Sequence, residues 1–402
     1  MSSRRKLWPF GLAVSALIVA LAVGAWFAFR LRVSKAATSM LEDAVQMALE
    51  PRARPAHATP SITGTFGKCA EPRLDAWVDL LKDEPETCKA FRAPKAPPGR
   101  IPDECLAIVT PRNSLAWARG LMTCSRADTA GLPEGIFSEG HKRNGPGFVP
   151  WIQAAKVLAW EIRAEVATAQ YGLAFETCAD VIATSRDLSW GGALLGTMSG
   201  VAIVKTVYPA CTEAVVAADP ASRARFHTAL ETIRGSQRLN SAMLRDEGVV
   251  AGVEYFGFEL DGRQRQSLPK ELRDRIRPPP AEFPAPILVG WQMVGLRALN
   301  ADLRQIADLP DPERAPLIAQ LALKHQGTEN FAPSVASQEK FLRRADEAAT
   351  LVAMLSAAAH ADVEAPVTTA TYTVTPLEGA LELVAVDPEA AKFAIRIPIK
   401  PK

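Results

Sequence analysis

Leu7 to Phe29 reads LWPFGLAVSALIVALAVGAWFAF, 23 residues without a charge. At about 1.5 Å per residue this run crosses a hydrocarbon core of about 30 Å as a single helix, with room for tilt. Trp8 and Trp26 stand near its two ends, where indole rings favour the water interface. Pro9 falls in the first turn, where a missing N–H costs little. A cleavable leader would end near Val23-Gly24-Ala25, but the apolar run continues through Phe29. The segment therefore reads as an uncleaved anchor, and the lipid bilayer is the first expected partner.

Outward from the anchor, charge leaves orientation open. Arg4, Arg5 and Lys6 on one side are matched by Arg30, Arg32 and Lys35 on the other. The cysteines break the tie. All six (Cys69, Cys88, Cys105, Cys124, Cys178 and Cys211) follow the anchor, and none has zinc or C-x-x-C spacing. Three disulfides in an oxidising compartment fit this set, which places residues 1–6 as a cytoplasmic stub and the body outside. The five Asn carry no glycosylation acceptor, which leans toward a bacterial periplasm. The expectation is a single-pass protein of the cytoplasmic membrane.

Composition sets further limits. A chain of 402 residues can bury a substantial core, and 46 basic against 44 acidic residues leave a charge of +2, with no footprint for nucleic acid. Ser34 reads as the cap of a juxtamembrane helix carrying Met40, Leu41, Ala44, Val45, Ala48 and Leu49 on one side and ending at Pro51. A Pro-rich spacer then runs to residue 68.

Residues 69–149 form a cysteine-containing module. Cys69 and Cys88 have the same separation as Cys105 and Cys124, and each span carries Pro-Arg, then Ala-Trp, then a closing Thr-Cys. A duplicated helical hairpin closed by its own disulfide is one reading and coincidence is the other. Consecutive pairing, with Cys178 bridging Cys211, is the expected connectivity.

Residues 150–362 read as a helical domain. Trp151, Ala155, Leu158 and Ile162 trace one helix, and Tyr171, Phe175, Cys178 and Ile182 the next. The latter's first residues, Tyr171 to Asp180, resemble one partial tetratricopeptide unit, which implies no function. Ser189 is expected to cap a helix with Gly192, Gly196 and Gly200 on one ridge for close backbone approach, and Pro209 to end or kink it. Its uncharged run is short for a second span, so a buried soluble helix is expected. Asp219-Pro220 starts another helix up to Gly235, and one more runs from about Ser236 to Phe258.

A break from Gly262 to Pro286 contains the basic patch Arg263, Arg265, Lys270, Arg273, Arg275 and Arg277 and the run Pro278-Pro279-Pro280. Such a patch suits anionic headgroups or an acidic partner, or simply a solvated face. Helices follow over Ile287–Ile306, Pro316–His325 and Ser337–His360. In residues 363–402 the period changes to two, predicting an antiparallel meander of Thr369–Thr375, Leu381–Val386 and Lys392–Ile399. The fold class is therefore mainly α with a small C-terminal sheet.

Chemistry leaves little trace. His57, His141, His227, His325 and His360 are scattered without metal-ligand spacing, and Gly196 to Gly200 places its serine one position late for a hydrolase elbow. Gly145-Pro146-Gly147 and Gly64 to Lys68 lack nucleotide-binding spacing. Glu161 with Glu165 and Glu176 with Asp180 are helix-face acid pairs, commonplace on solvated helices. No catalytic, cofactor or metal residue is assigned. The architecture favours an extracytoplasmic interaction or scaffold module with a protein or envelope partner. A hydrolase assembled from Glu161, Glu165, Glu176, Asp180 or His227, and a solute-binding module, are the alternatives.

Overall fold

The computed structural model describes residues 7–49, 85–88, 102, 104–105, 149–189, 193–237, 239–257, 260, 262–268, 273, 276, 285–326, 335–362 and 364–398. The spacer to residue 68, most of the duplicated segment including Cys69 and Cys124, Gly192, Lys270, Arg275, Arg277, the triple proline, His57 and His141 lie outside the described residues. The described helices are α1 (Leu7–Leu49), α2 (Val149–Ala167), α3 (Tyr171–Ser189), α4 (Ala193–Ala217), α5 (Pro220–Gly235), α6 (Asn240–Phe256), α7 (Gly262–Ser267), α8 (Ala285–Ile306), α9 (Asp311–Lys324) and α10 (Val335–His360). The strands are β1 (Tyr372–Leu377), β2 (Ala380–Ala385) and β3 (Ile395–Pro398).

The apolar run and the helix expected to follow it are one element. Ser34 caps nothing: its carbonyl accepts the Thr38 hydroxyl inside an unbroken α1. The reason is packing. Phe29, Val33, Ala37, Met40 and Ala44 recur at helical spacing and bury against Val249 and Val253 of α6 and Met293 and Leu296 of α8. The α1 span from Ser15 is long and apolar enough to cross a membrane, whereas Gly196–Ala217 passes the same test but is mostly buried in the body.

The largest core lies between α2, α3, α4, α5, α10 and the sheet. Here α4 does not end at Pro209 but continues through it to Ala217. An interior proline costs about 3 kcal/mol. Val207, Tyr208, Ala210, Cys211, Ala214 and Val215 around it are all buried, and at ~1.5–3 kcal/mol for each large apolar side chain their burial outweighs that cost. Ser189 is the last residue of α3 and not the cap of α4, which begins at Ala193. Gly200 does serve close approach, since a β-carbon there would lie 2.4 Å from the Ser185 carbonyl oxygen of α3.

Asp219 caps α5 as its sequence predicts, accepting the Ser222 amide at 2.9 Å with Pro220 in the first turn. The next helix begins at Asn240, later than Ser236, because Ser236 closes α5 with its amide on the Ile233 carbonyl. Pro316 sits within α9 rather than at its start. The expected break after residue 262 holds the short helix α7.

The sheet has order β1-β2-β3, all antiparallel. β1 extends through Pro376 and Leu377 into a tight turn where Gly379 takes φ +70°. Leu383, Ala385, Ile395 and Ile397 face the core, and the Tyr208 hydroxyl donates to the Phe393 carbonyl at 3.1 Å, joining α4 to the sheet. On the outer face Glu382 and Arg396, register partners, pair at 2.7 Å.

Two disulfides are described. Cys178 of α3 bridges Cys211 of α4, as consecutive pairing predicts. Cys88, however, bridges Cys105 rather than Cys69, so neither half of the duplicated segment is closed by its own bridge. The hydrogen bonds of the Cys88 amide to the Pro85 carbonyl and the Cys105 amide to the Pro102 carbonyl show why: each cysteine ends a proline-initiated turn, and both side chains are fully buried in the main core.

Candidate functional site

Where α5 ends and α9 begins, the chain crosses the flank of α10 and leaves a groove. One chamber, about 380 Å³, lies among α3, α4, α5 and α10 and is walled by Ile182, Ser185, Val201, Val204 and Val352. A second, about 590 Å³, opens toward the sheet past Leu309, Pro310, Arg343, Thr371 and Asp387. Arg234, Gln237, Asp308, Asp346 and Ala349 line both, so the two adjoin along a shared wall. Apolar walls with a few convergent charges are the usual makeup of a recognition site.

The floor is built from ion pairs. Arg314 is completely buried: it donates through Nη1 to the Ala307 and Leu309 carbonyls at 3.2 and 3.1 Å, and through Nη2 to Asp346 at 2.6 Å and Asp311 at 3.0 Å. Asn240 donates to the other Asp346 oxygen at 3.0 Å. Burial holds the Asp346 carboxyl above the ordinary carboxylate range although Arg314 pulls the other way. Asp308 is engaged by Ser241, through both its amide and its hydroxyl. On the rim Arg343 faces Asp387 at 3.9 Å and Glu389 at 3.5 Å. Each carboxylate on the floor thus meets a donor, Asp311 sharing Arg314 Nη2 with Asp346, an arrangement that fixes shape and charge rather than leaving a base poised for proton abstraction.

A second polar group lies further back along the same side of α5, joined to the groove through Arg234, which donates to Glu231 at 2.5 Å. The His227 and His360 rings stack with centroids 4.2 Å apart, and His227 Nδ1 lies 2.9 Å from Ser356 Oγ and 3.1 Å from the Ser356 carbonyl. A carbonyl only accepts, so Nδ1 carries the proton, and Ser356 passes its own hydroxyl hydrogen to Glu231 at 2.5 Å. Burial alone would raise the Glu231 carboxyl, but hydrogen bonds from Ser356 and Arg234 and the nearby charges hold it below its usual range. The order is wrong for a nucleophile relay, in which serine gives its proton to histidine and the carboxylate orients the ring.

The acids singled out from sequence do not gather around His227, whose partners are Ser356 and the His360 ring. Glu161 and Glu165 are buried on α2, with Thr177 of α3 donating to Glu165 at 3.5 Å. Glu176 is exposed on α3 and Asp180 partly so. His325 Nε2 meets Asp302 at 2.6 Å, tying the end of α9 to α8. Cys88, Glu104 and Cys105 come within ligand distance of one another, but a disulfide withholds the thiolates a metal needs. Of the basic patch, Arg263 and Arg273 are exposed and Arg265 donates to the Leu260 carbonyl at 2.9 Å. Gly196 and Gly200 are buried in packing.

The groove has no sequence signal: Arg234, Arg314 and Asp346 belong to three different helices and Asp308 to the turn between α8 and α9. The nearest hint is an arginine on the apolar side of α9, in line with Ile318, whose charge had to be met from elsewhere. Comparison with family models, curated proteins and solved structures finds no match.

Proposed function

We propose that the chain is a membrane-anchored interaction module whose body, outside the cytoplasm, presents the groove between α5, α9 and α10 to a protein or cell-envelope partner. The observation that carries this reading is the continuity of α1: Met40 and Ala44 are completely buried in the same helix that holds the apolar run, so the body is seated against the membrane instead of tethered by a loose spacer. A rigidly seated body with a charged, internally paired groove supplies a fixed surface, and the disulfides Cys88–Cys105 and Cys178–Cys211 suit an oxidising compartment such as a periplasm.

The test is a photocrosslinking amino acid at Gln237, which is exposed and lines both chambers, in intact cells. One predominant macromolecular adduct, lost when Arg234 and Arg343 are both changed to Glu, is expected. No adduct, or one indifferent to that charge reversal, defeats the reading. The volume of the outer chamber favours a second reading, a small polar solute as occupant. That occupant would raise Tm on binding while leaving Gln237 uncrosslinked to protein.

A further inference from the structure

The contacts between α1 and α8 advance in step. A β-carbon at Gly290 would meet Phe29 at 2.8 Å and Val33 at 3.1 Å, the Trp291 ring packs on Phe29 with centroids 5.4 Å apart, Arg297 reaches Ser39 at 2.8 Å, and Arg304 reaches Asp43 at 3.0 Å. From Phe29 with Gly290 to Asp43 with Arg304 both helices progress by the same number of residues, so they run parallel and side by side. Phe29 is the last residue of the uncharged run, and α8 starts five residues before Gly290. At 1.5 Å per residue its first residue lies about 7 Å further back along the anchor, level with the final turns of the membrane segment.

The start of α8 is suited to that depth. From Ala285 to Leu296 it carries no charge, Arg297 being the first, and Pro286 removes one of the N–H groups a helix start leaves unpaired. Trp291 is 51% exposed although it packs on Phe29, and Trp26 at 48% and Leu31 at 70% are open beside it. Trp26 in turn packs on Phe29 at 5.7 Å. Exposed indoles at the end of a membrane span are the residues that settle at the headgroup level. Leu260 and Leu268, on either side of exposed Arg263, bury in the same cluster as Phe29 and Val33, which puts cationic side chains on the flank of this region.

We infer that the amino-terminal end of α8, with Trp291, is seated in the bilayer interface beside α1 and gives the body a second contact with lipid. This rests on the reading of α1 as a membrane span. Two contacts fix the body's tilt and rotation about the anchor, which a lone span leaves free.

The test uses the full chain reconstituted in phosphatidylcholine vesicles with brominated acyl chains, and the difference in emission between wild type and Trp291→Phe, which isolates Trp291. The same difference with Trp26→Phe isolates the anchor. Both differences are expected to be quenched several-fold by bromolipid and to resist aqueous iodide. A Trp291 difference quenched by iodide and untouched by bromolipid, with Trp26 still quenched by lipid, overturns this inference alone. Failure of Trp26 to respond to bromolipid overturns the anchor itself.

Discussion

Ala169 adopts φ 57° at the end of α2, where its amide reaches the Val166 carbonyl at 3.0 Å and the Gln170 amide reaches the Glu165 carbonyl at 2.8 Å. These two bonds define a helix stop that ordinarily uses glycine, because a β-carbon in the left-handed region costs about 1–2 kcal/mol. Replacing Ala169 with Gly is therefore expected to stabilise the protein by about 1 kcal/mol, partly offset by the freedom glycine gains in the unfolded chain. Urea denaturation followed by circular dichroism checks this, and a destabilised variant would mean the neighbouring contacts of the Ala169 methyl matter more than its torsion. Local chemistry of this kind was readable in part: Asp219-Pro220 announces a helix start, while nothing in Thr168-Ala169-Gln170 announces a stop.

Glu231 is a residue whose charge is held by its surroundings. Its carboxyl is lowered by Ser356 and Arg234 against the opposing effect of burial, so the ionised form is favoured by folding. Stability from this source is complete above the unfolded glutamate range near pH ~4.3 and is lost as pH falls through the lower folded value. Glu231→Gln should melt below wild type at neutral pH, by a modest amount because the side chain is nearly half exposed, and the gap should close on acidification. Melting curves across the acid range decide it, since a gap constant with pH would remove the ionised carboxylate as its source. The sequence singled out His227 but not the group it joins. His227, Glu231, Ser356 and His360 come from two helices far apart in sequence, and periodicity within one helix carries no information about which helix it will meet.

At the scale of elements, apolar spacing located most helices and all three strands, because periods of 3.6 and 2 are imposed by the side of each element that is buried. It failed where one residue type outvoted packing. Ser34 and Pro209 looked like boundaries, yet Val33 and Ala37 on one side and Tyr208 and Cys211 on the other are buried, and the helices run through. Lys35→Pro separates the two accounts of α1. Were Ser34 a cap, residue 35 would be the first position of a new helix, where proline is welcome. In an unbroken α1 the substitution removes an interior hydrogen bond at about 3 kcal/mol or more, and Lys35 is exposed, so no packing is lost with it. Hydrogen exchange of the detergent-solubilised protein should show lost protection over 30–44 in the variant, whereas unchanged protection would restore a boundary at Ser34.

For the whole molecule the question is which side of the membrane the body occupies, and the state of the bridges tests it. Cys178–Cys211 ties α3 to α4 inside a core where both sulfurs are completely buried, and Cys88–Cys105 joins two turns whose cysteines are buried in that same core. By chain entropy each is worth roughly 3–4 kcal/mol for loops of this length. That is a large part of the ~5–15 kcal/mol net stability of an ordinary domain, so a reducing cytosol would leave the body much weakened. Peptide mapping of the protein extracted without reductant should recover Cys88 linked to Cys105 and Cys178 linked to Cys211, with Cys69 and Cys124 left either to each other or free. Recovery of all four mapped cysteines as thiols would place the body in the cytosol and remove the basis for an extracytoplasmic partner. Recovery of the Cys69–Cys88 link would instead restore the two self-closed hairpins that the burial of Cys88 with Cys105 argues against. The spacing in the sequence favoured those hairpins because equal separations are visible in one dimension. The pairing that forms is set by which turns reach the core together, and that is a property of the assembled body.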